Sequence, residues 1–560
     1  MANKIEIVGV ILGAAKIRDE LSSVFGNIPT SLIPINGKPA IFFILDHFKN
    51  LGIKKIYISV GYKRKKVEKL IKSYLLYTDK LKIYPIAVNY LKKPGYALLE
   101  IINKIPVDKR KNISLYVYLA DTLPCENIKL PFDKNFILVS KDYSNSKNWC
   151  VIEINPGKNE VKAIYDKQKN MLNNYAVVGV YHFSNMEVFS GVKHPNVEIS
   201  YFLKRLLNYN ISLSALEVDK WYDLGHINKY YEAKSHLLSG RFFNKLEIDS
   251  MNNTIVKRSD RNDILKSEID WYLNVPKDIS KYVPRIISKC MNVKKNIYAE
   301  FEFYGYPSLS ELWLYSELSD HVWRSVLDKI FLIIDKFRVY KKEIDQEDYI
   351  MMYDIKTKLR VQEACSSSRK LNYLFSKNKL IVNGKSLDGW PIINDNLKDY
   401  AKLLYNQEDN CFLHGDLCFS NILYDLNNGV IKMLDPRGRW GSQINYGDIK
   451  YDIAKLRHSI SGLYDHIMND RFNVSVINLE KIGSKTTHIN TNFPLINNTN
   501  KSVAKYFDHK IGDIWNIDNI KLIEGLLFIS MIPLHADNEK RQLAMFARGI
   551  ELLNDTLKRL

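Results

Sequence analysis

The sequence predicts an α/β protein of two successive domains, and three features predict it. In the first 240 residues, β-branched runs alternate with stretches of helical apolar spacing; around residues 230 to 246 the periodicity changes; from about residue 320 helical spacing dominates. At 560 residues the chain is also too long for one hydrophobic core.

Residues 5–12, IEIVGVIL, are a strand-like run that ends at Gly13 and passes into a small-residue turn, ILGAAKIRDE. The segment 39–53, PAIFFILDHFKNLGI, has helical apolar spacing closed by Gly52; KKIYISVGY is again strand-like, and YKRKKVEKLI opens an amphipathic helix with a charged outer face. SLYVYLAD (114–121) and AVVGVYHFS (176–184) continue the alternation, which implies a predominantly parallel sheet covered by helices. The helix YYEAKSHLLSG ends at Gly240, and RFFNKLEIDSMNNTIVKRSD then reads as strand, polar turn, strand, with Ser250 to Asn253 in the turn. A hairpin directly after a helix terminator marks a domain seam, dividing the chain into 1–241 and 242–560. Residues 485–502, KTTHINTNFPLINNTNKS, are polar and read as a loop or insertion.

Composition narrows the function classes. No run approaches the roughly 18 uninterrupted apolar residues of a membrane span, and MANKIEIVGVILGAAK lacks the basic region and cleavage site of a signal peptide. A soluble, cytoplasmic protein is expected. Six cysteines, Cys125, Cys150, Cys290, Cys365, Cys411 and Cys418, include no C-x-x-C pair and are expected to be buried thiols. The net charge of +19 is unaccompanied by a helix-turn-helix, aromatic-basic strand or zinc pattern. It is read as a solvated basic surface, with no nucleic-acid partner expected.

The strongest local motif is HGDLCFSN (414–421), followed by the strand-like NILYD, a turn at NNG, and VIKMLD ending at Asp435. Phosphoryl transfer needs a carboxylate to accept the proton of the attacking hydroxyl and oxygen ligands for Mg²⁺ on the phosphates. Asp416 is the candidate base, and Asn421 and Asp435 are candidate metal ligands. The motif resembles the catalytic loop and metal-binding segment of the aminoglycoside/choline kinase-like phosphotransferases over about residues 242–560. That resemblance implies a two-lobed, protein-kinase-like domain using ATP. It makes Lys257, in TIVKRS, and Glu268, in KSEIDWYLNVP, the pair that clamps the α/β-phosphates. It reads 298–312, YAEFEFYGYPSLSEL, as the hinge meeting adenine, and Asp448 and Asp452 in GDIKYDIAKL as supports of the catalytic loop. The segment after Asp435, PRGRWG, departs from typical choline kinases and suits a hydroxylated or anionic substrate.

In the first half, ILGAAKIRDE, SLIPINGKPAIFFIL, YLAD at Asp121 and WYDLGH around Asp223 follow one another in the order found in sugar-1-phosphate and phosphocholine nucleotidyltransferases, which residues 5–238 resemble. The resemblance implies a Rossmann-like domain in which Asp121 and Asp223 hold Mg²⁺, Gly13 lies in the nucleotide-binding turn, and Gly95 lets the backbone approach the base. The usual catalytic lysine is replaced by Thr30 in PTSLIP, so Lys16 or Arg18 is expected to act as the charge clamp.

Together the two halves imply a bifunctional enzyme that uses Mg²⁺, ATP and a second NTP, CTP among the candidates. It would phosphorylate a small alcohol or sugar and couple the phosphate to a nucleotide, giving an activated precursor for surface or capsule polysaccharide. The alternative is a kinase whose first half binds a nucleotide or phosphosugar without chemistry. The acceptor, the base and the oligomeric state stay open at this level.

Overall fold

The computed structural model describes residues 5–78, 81–124, 130–143, 148–168, 174–193, 196–237, 244–249, 251–292, 297–477 and 487–559. Gly240, the seam at 241/242, Ser250 and Cys125 lie outside them. The chain divides into two compact units, one of Met1–Leu237 with Tyr315–Glu317 and one of Leu238–Leu314 with Leu318–Leu560.

The first unit is built on a nine-stranded sheet. Glu6–Leu12 lies at its centre, parallel to Lys55–Val60 on one side and to Ile113–Leu119 on the other, and Lys82–Ala87 extends the parallel part. Contrary to the predominantly parallel sheet expected from the alternation, Tyr175–Phe183 runs antiparallel to Ile113–Leu119, Phe136–Ser140 and Cys150–Ile154. The helices Pro94–Lys104 and Ile199–Asn208 press Leu98, Ile101, Ile102, Phe202 and Leu206 into a core with Val8, Val10, Leu115 and Val117. On the Arg64–Leu75 helix, Val67, Leu70 and Ile71 are buried while Arg64, Lys65, Lys69 and Lys72 are exposed, as its amphipathic pattern requires.

The second unit opens with a four-stranded antiparallel sheet in the order Asn244–Asp249, Thr254–Ser259, Tyr298–Glu302, Ile286–Cys290, with the helix Asn262–Asn274 following the second strand in sequence. Helices then dominate. Every residue of Ile449–Ile460 is buried, including Asp452, Lys455 and Arg457. Buried charges persist only when paired, and these are: Arg457 with Asp508 and Glu524, Lys455 with Asp416, Asp452 with backbone amides. The helices Ile517–Met531 and Glu539–Leu557 approach so closely that a Cβ on Gly549 would lie 2.7 Å from Ile529. In the segment 485–502, read as a loop or insertion, the described residues from 487 on contribute the strand His488–Asn492, antiparallel to Asn473–Ile477, and the start of the helix Asn498–Gly512; Asn497 and Asn500 cap that helix reciprocally. Among the described cysteines, Cys411 and Cys418 are buried as expected, but Cys150, Cys290 and Cys365 are only half-buried; all five are free thiols. No helix of the described residues is long and apolar enough to cross a membrane.

Candidate active sites

In the first unit, strand register brings two distant carboxylates together. Thr122–Pro124 pairs antiparallel with Trp221–Asp223, setting Asp223 opposite Thr122. The Leu224 amide donates to the Asp121 carbonyl at 2.7 Å. A Cβ on Gly225 would lie 3.0 Å from Asp223 Oδ1 and 3.2 Å from Asp121 Oδ2, so this glycine leaves open the face that both carboxylates share. Burial and the adjacent Asp223 push the Asp121 carboxyl up to about 6, against the opposing pull of Arg18 and His226.

Of the two basic candidates, Arg18 reaches this pair and Lys16 does not. Arg18 donates through Nη1 to His226 Nε2, and His226 Nδ1 meets Asp223 Oδ2. His226 thus links the guanidinium of Arg18 to the Asp223 carboxylate. Lys16 lies instead 3.9 Å from Asp19 and bridges Pro29 through its backbone. Thr30 is buried, its amide donating to the Ala15 carbonyl at 3.0 Å. The Gly13 amide donates to Ser59 Oγ at 3.1 Å, and a Cβ there would meet Ala120 at 3.2 Å, which seats the turn beside the strand end carrying Asp121. Gly95 answers to packing: a Cβ would lie 2.5 Å from the Val197 carbonyl oxygen, so its need for glycine is met by the protein's own chain.

Residues 125–240, which include Asp223, match the family model for nucleotidyl transferases. The N-terminal region has a nucleotidyl transferase domain. Solved structures similar to the chain include a protein from Bacillus anthracis titled as a glucose-1-phosphate thymidylyltransferase, 18% identical, covering 42% of this chain and 98% of its own, with a TM-score of 0.36. A UDP-glucose pyrophosphorylase bound to UDP-glucose is 19% identical over 41% of this chain and 97% of its own, with a TM-score of 0.34. The inositol-1-phosphate CTP transferase of T. maritima is 14% identical over 41% and 94%, with a TM-score of 0.32. No curated protein matches.

Among the described residues no cluster of three or more His, Cys, Asp and Glu is arranged to hold a metal ion. Mg²⁺, however, takes one or two carboxylates and completes its shell with phosphate oxygens and water. The like-charged Asp121 and Asp223, converging on one open face, fit that requirement.

In the second unit the hairpin carries Lys257 and the following helix carries Glu268. Lys257 Nζ donates to Glu268 Oε1 and Oε2 at 2.9 and 2.7 Å, and to Asp435 Oδ1 at 2.8 Å. Burial alone would lower the lysine; Asp435 and Glu268 override it and hold the amine above its ordinary range. Asp435 itself has φ +55°, a conformation uncommon for a side-chain-bearing residue and typical of functional turns.

The HGD segment is held from below. Asp452 accepts the His414 and Gly415 amides at 2.7 and 2.9 Å; burial pushes its carboxyl up to about 7 against these donors. Gly415 has φ +78°, and a Cβ there would strike the Arg437 side chain at 2.9 Å, so the turn needs glycine. Asn421 Nδ2 donates to the Asp416 carbonyl at 2.9 Å and to its Oδ2 at 3.3 Å, leaving Oδ1 as the oxygen on the other side of the amide. Lys455 Nζ pairs with Asp416 Oδ1 at 2.9 Å. The fold therefore joins Lys257, Glu268 and Asp435, and separately Asp416, Asn421 and Lys455. Sequence reasoning missed His226 and Lys455: Lys455 stands three residues from Asp452 on the same helix, and His226 follows Asp223 across the turn from a strand to the next helix.

Proposed function

We propose that the chain is a bifunctional enzyme in which the second unit phosphorylates a small alcohol or sugar and the first couples the resulting phosphate to a nucleotide. The observation that carries the kinase half is the buried Lys257 shared between Glu268 and Asp435, a cation fixed by carboxylates from two other segments of the chain.

In this reading Asp416 accepts the hydroxyl proton of the acceptor as its oxygen attacks the γ-phosphorus of ATP and the bond to ADP breaks. Lys257 steadies the α/β-phosphates, with Glu268 holding its ammonium in place. The residues that would hold Mg²⁺ are Asn421 Oδ1 and Asp435, which flank the open end of the hairpin formed by Ile422–Tyr424 and Ile431–Met433. The segment between Glu302 and Leu309 would present backbone groups to adenine.

In the first unit, an oxygen of the newly made phosphate monoester attacks the α-phosphorus of an NTP and pyrophosphate leaves. Two anions must approach, so opposing charge is needed. Asp121 and Asp223 would hold Mg²⁺ there, which when bound screens both phosphates, and Arg18 contacts the triphosphate in place of the lysine that Thr30 replaces. The product is a nucleotide-activated headgroup or sugar, the form consumed in surface polysaccharide assembly.

The test is sequential. Full-length protein with ATP, Mg²⁺ and a panel of sugars, polyols and amino alcohols is assayed for ADP; CTP, UTP, GTP or dTTP is then added to the product and pyrophosphate is measured. ADP followed by pyrophosphate is expected. ADP without pyrophosphate reduces the first domain to a binding module, and no ADP with any acceptor refutes the kinase.

A further inference from the structure

Beside Asp416 stands a group of cations that the transfer of a phosphoryl group to a neutral alcohol does not require. Tyr451 is buried on the Ile449–Ile460 helix, and its hydroxyl receives two positively charged donors: Arg437 Nη1 at 3.0 Å and Lys356 Nζ at 3.4 Å. Four residues along the same helix, Lys455 pairs with Asp416 at 2.9 Å. The Arg437 amide donates to the His414 carbonyl at 2.9 Å, which fastens the arginine to the turn that presents Asp416.

Lys356 is the telling member. It is half-buried and makes no ion pair among the described residues; its ammonium points to the Tyr451 hydroxyl and lies 5.4 Å from that ring's centroid. A shielded ammonium that meets only a hydroxyl oxygen and a ring face, with a guanidinium on the same oxygen, gains when an anion joins it. Lys356 also directly follows a π-helical turn, Ile350–Ile355, a distortion frequent at binding sites. The donor phosphates have their own cation in Lys257, which is engaged by Glu268 and Asp435.

We infer that the phosphoryl acceptor carries an anionic group, a carboxylate or a phosphate ester, received by Lys356 and Arg437 next to Asp416. The inference rests on the kinase reading and narrows its substrate class. Negative charge is bound most strongly by such fixed, partly desolvated donors, with the arginine able to contact two oxygens at once.

The experiment measures ADP formation by the full-length protein with matched acceptors: glycerate and glycerol 3-phosphate against glycerol, and gluconate against glucitol. The anionic member of at least one pair is expected to be favoured tenfold or more in kcat/KM, and glycerate against glycerol 3-phosphate separates carboxylate from phosphate recognition. Lys356→Met should cut that preference about tenfold through the acceptor KM, and Lys356→Arg should restore most of it, which a merely structural lysine would not do. Equal use of both members of every pair, with Lys356→Met leaving the ratio unmoved, overturns the anion site while the kinase stands. An ATP KM that rises as much as the acceptor KM also overturns it, by assigning the cluster to the donor. No ADP with any acceptor overturns the kinase and this inference together.

Discussion

Lys257→Met removes the cation between two carboxylates, and its cost follows from their burial. Glu268 is 5% exposed, so its carboxylate has little water to turn to, whereas the Asp435 side chain is about half exposed and resolvates. Breaking a buried pair costs about 3 to 5 kcal/mol, and the open side at Asp435 favours the lower value, about 3 kcal/mol. For a domain of this size that corresponds to a fall of about 6 to 10 °C in its melting transition. The second substitution separates stability from chemistry. Lys257→Met with Glu268→Met removes the stranded charge, so the melting transition should recover to within about 3 °C of wild type, while phosphoryl transfer stays about 10²-fold or more below it. Differential scanning calorimetry and an ADP-release assay on the same preparations read both quantities. A double variant as unstable as the single one, or either variant retaining most of the transfer rate, would refute the role given to this ion pair.

Asp416→Asn should preserve the fold and ATP binding, measured by calorimetric titration, while transfer falls about 10²- to 10⁴-fold, because an amide cannot accept the hydroxyl proton; retained activity would mean that the base lies elsewhere. Asp223→Ala should weaken Mg²⁺-NTP binding and stop pyrophosphate formation. The same site predicts a pH dependence: with Asp121 raised to about 6, ionising it costs the folded state progressively between about pH 4 and pH 6, by up to about 3 kcal/mol in the metal-free protein. Stability from this group is thus fullest below pH 4 and lost as the pH rises through 6; a melting transition of the metal-free protein in which Asp121→Asn leaves the change between pH 4 and pH 6 unaltered would contradict it. Residues 1–241 and 242–560 expressed separately should each be soluble with its own melting transition, and aggregation of the first would count against that boundary.

The sequence by itself was enough to single out candidate groups that stand close to one another in the chain. The turn from His414 to Asp416, Asn421 five residues on, and Asp435 across a short hairpin could be read because local geometry sets their spacing; Lys257 and Glu268 are singled out only by the family resemblance, and their meeting with Asp435 is a product of the fold. The alternation of strands and helices gave the α/β class but not the sheet's direction. Tyr175–Phe183 is as apolar and β-branched as the central parallel strands because it too is buried, so its composition carries no sign of running antiparallel.

Tertiary structure decided everything that depends on residues far apart in sequence. Asp121 and Asp223 become one site only through the register of two three-residue strands, and the choice of Arg18 over Lys16 depends on where His226 lands after that pairing. Lys356 and Tyr451, 95 residues apart, meet only in the folded chain. Their charge environment exists only once the helices pack, because electrostatic and hydrogen-bond energies depend on separation and burial, which the order of residues along the chain does not contain.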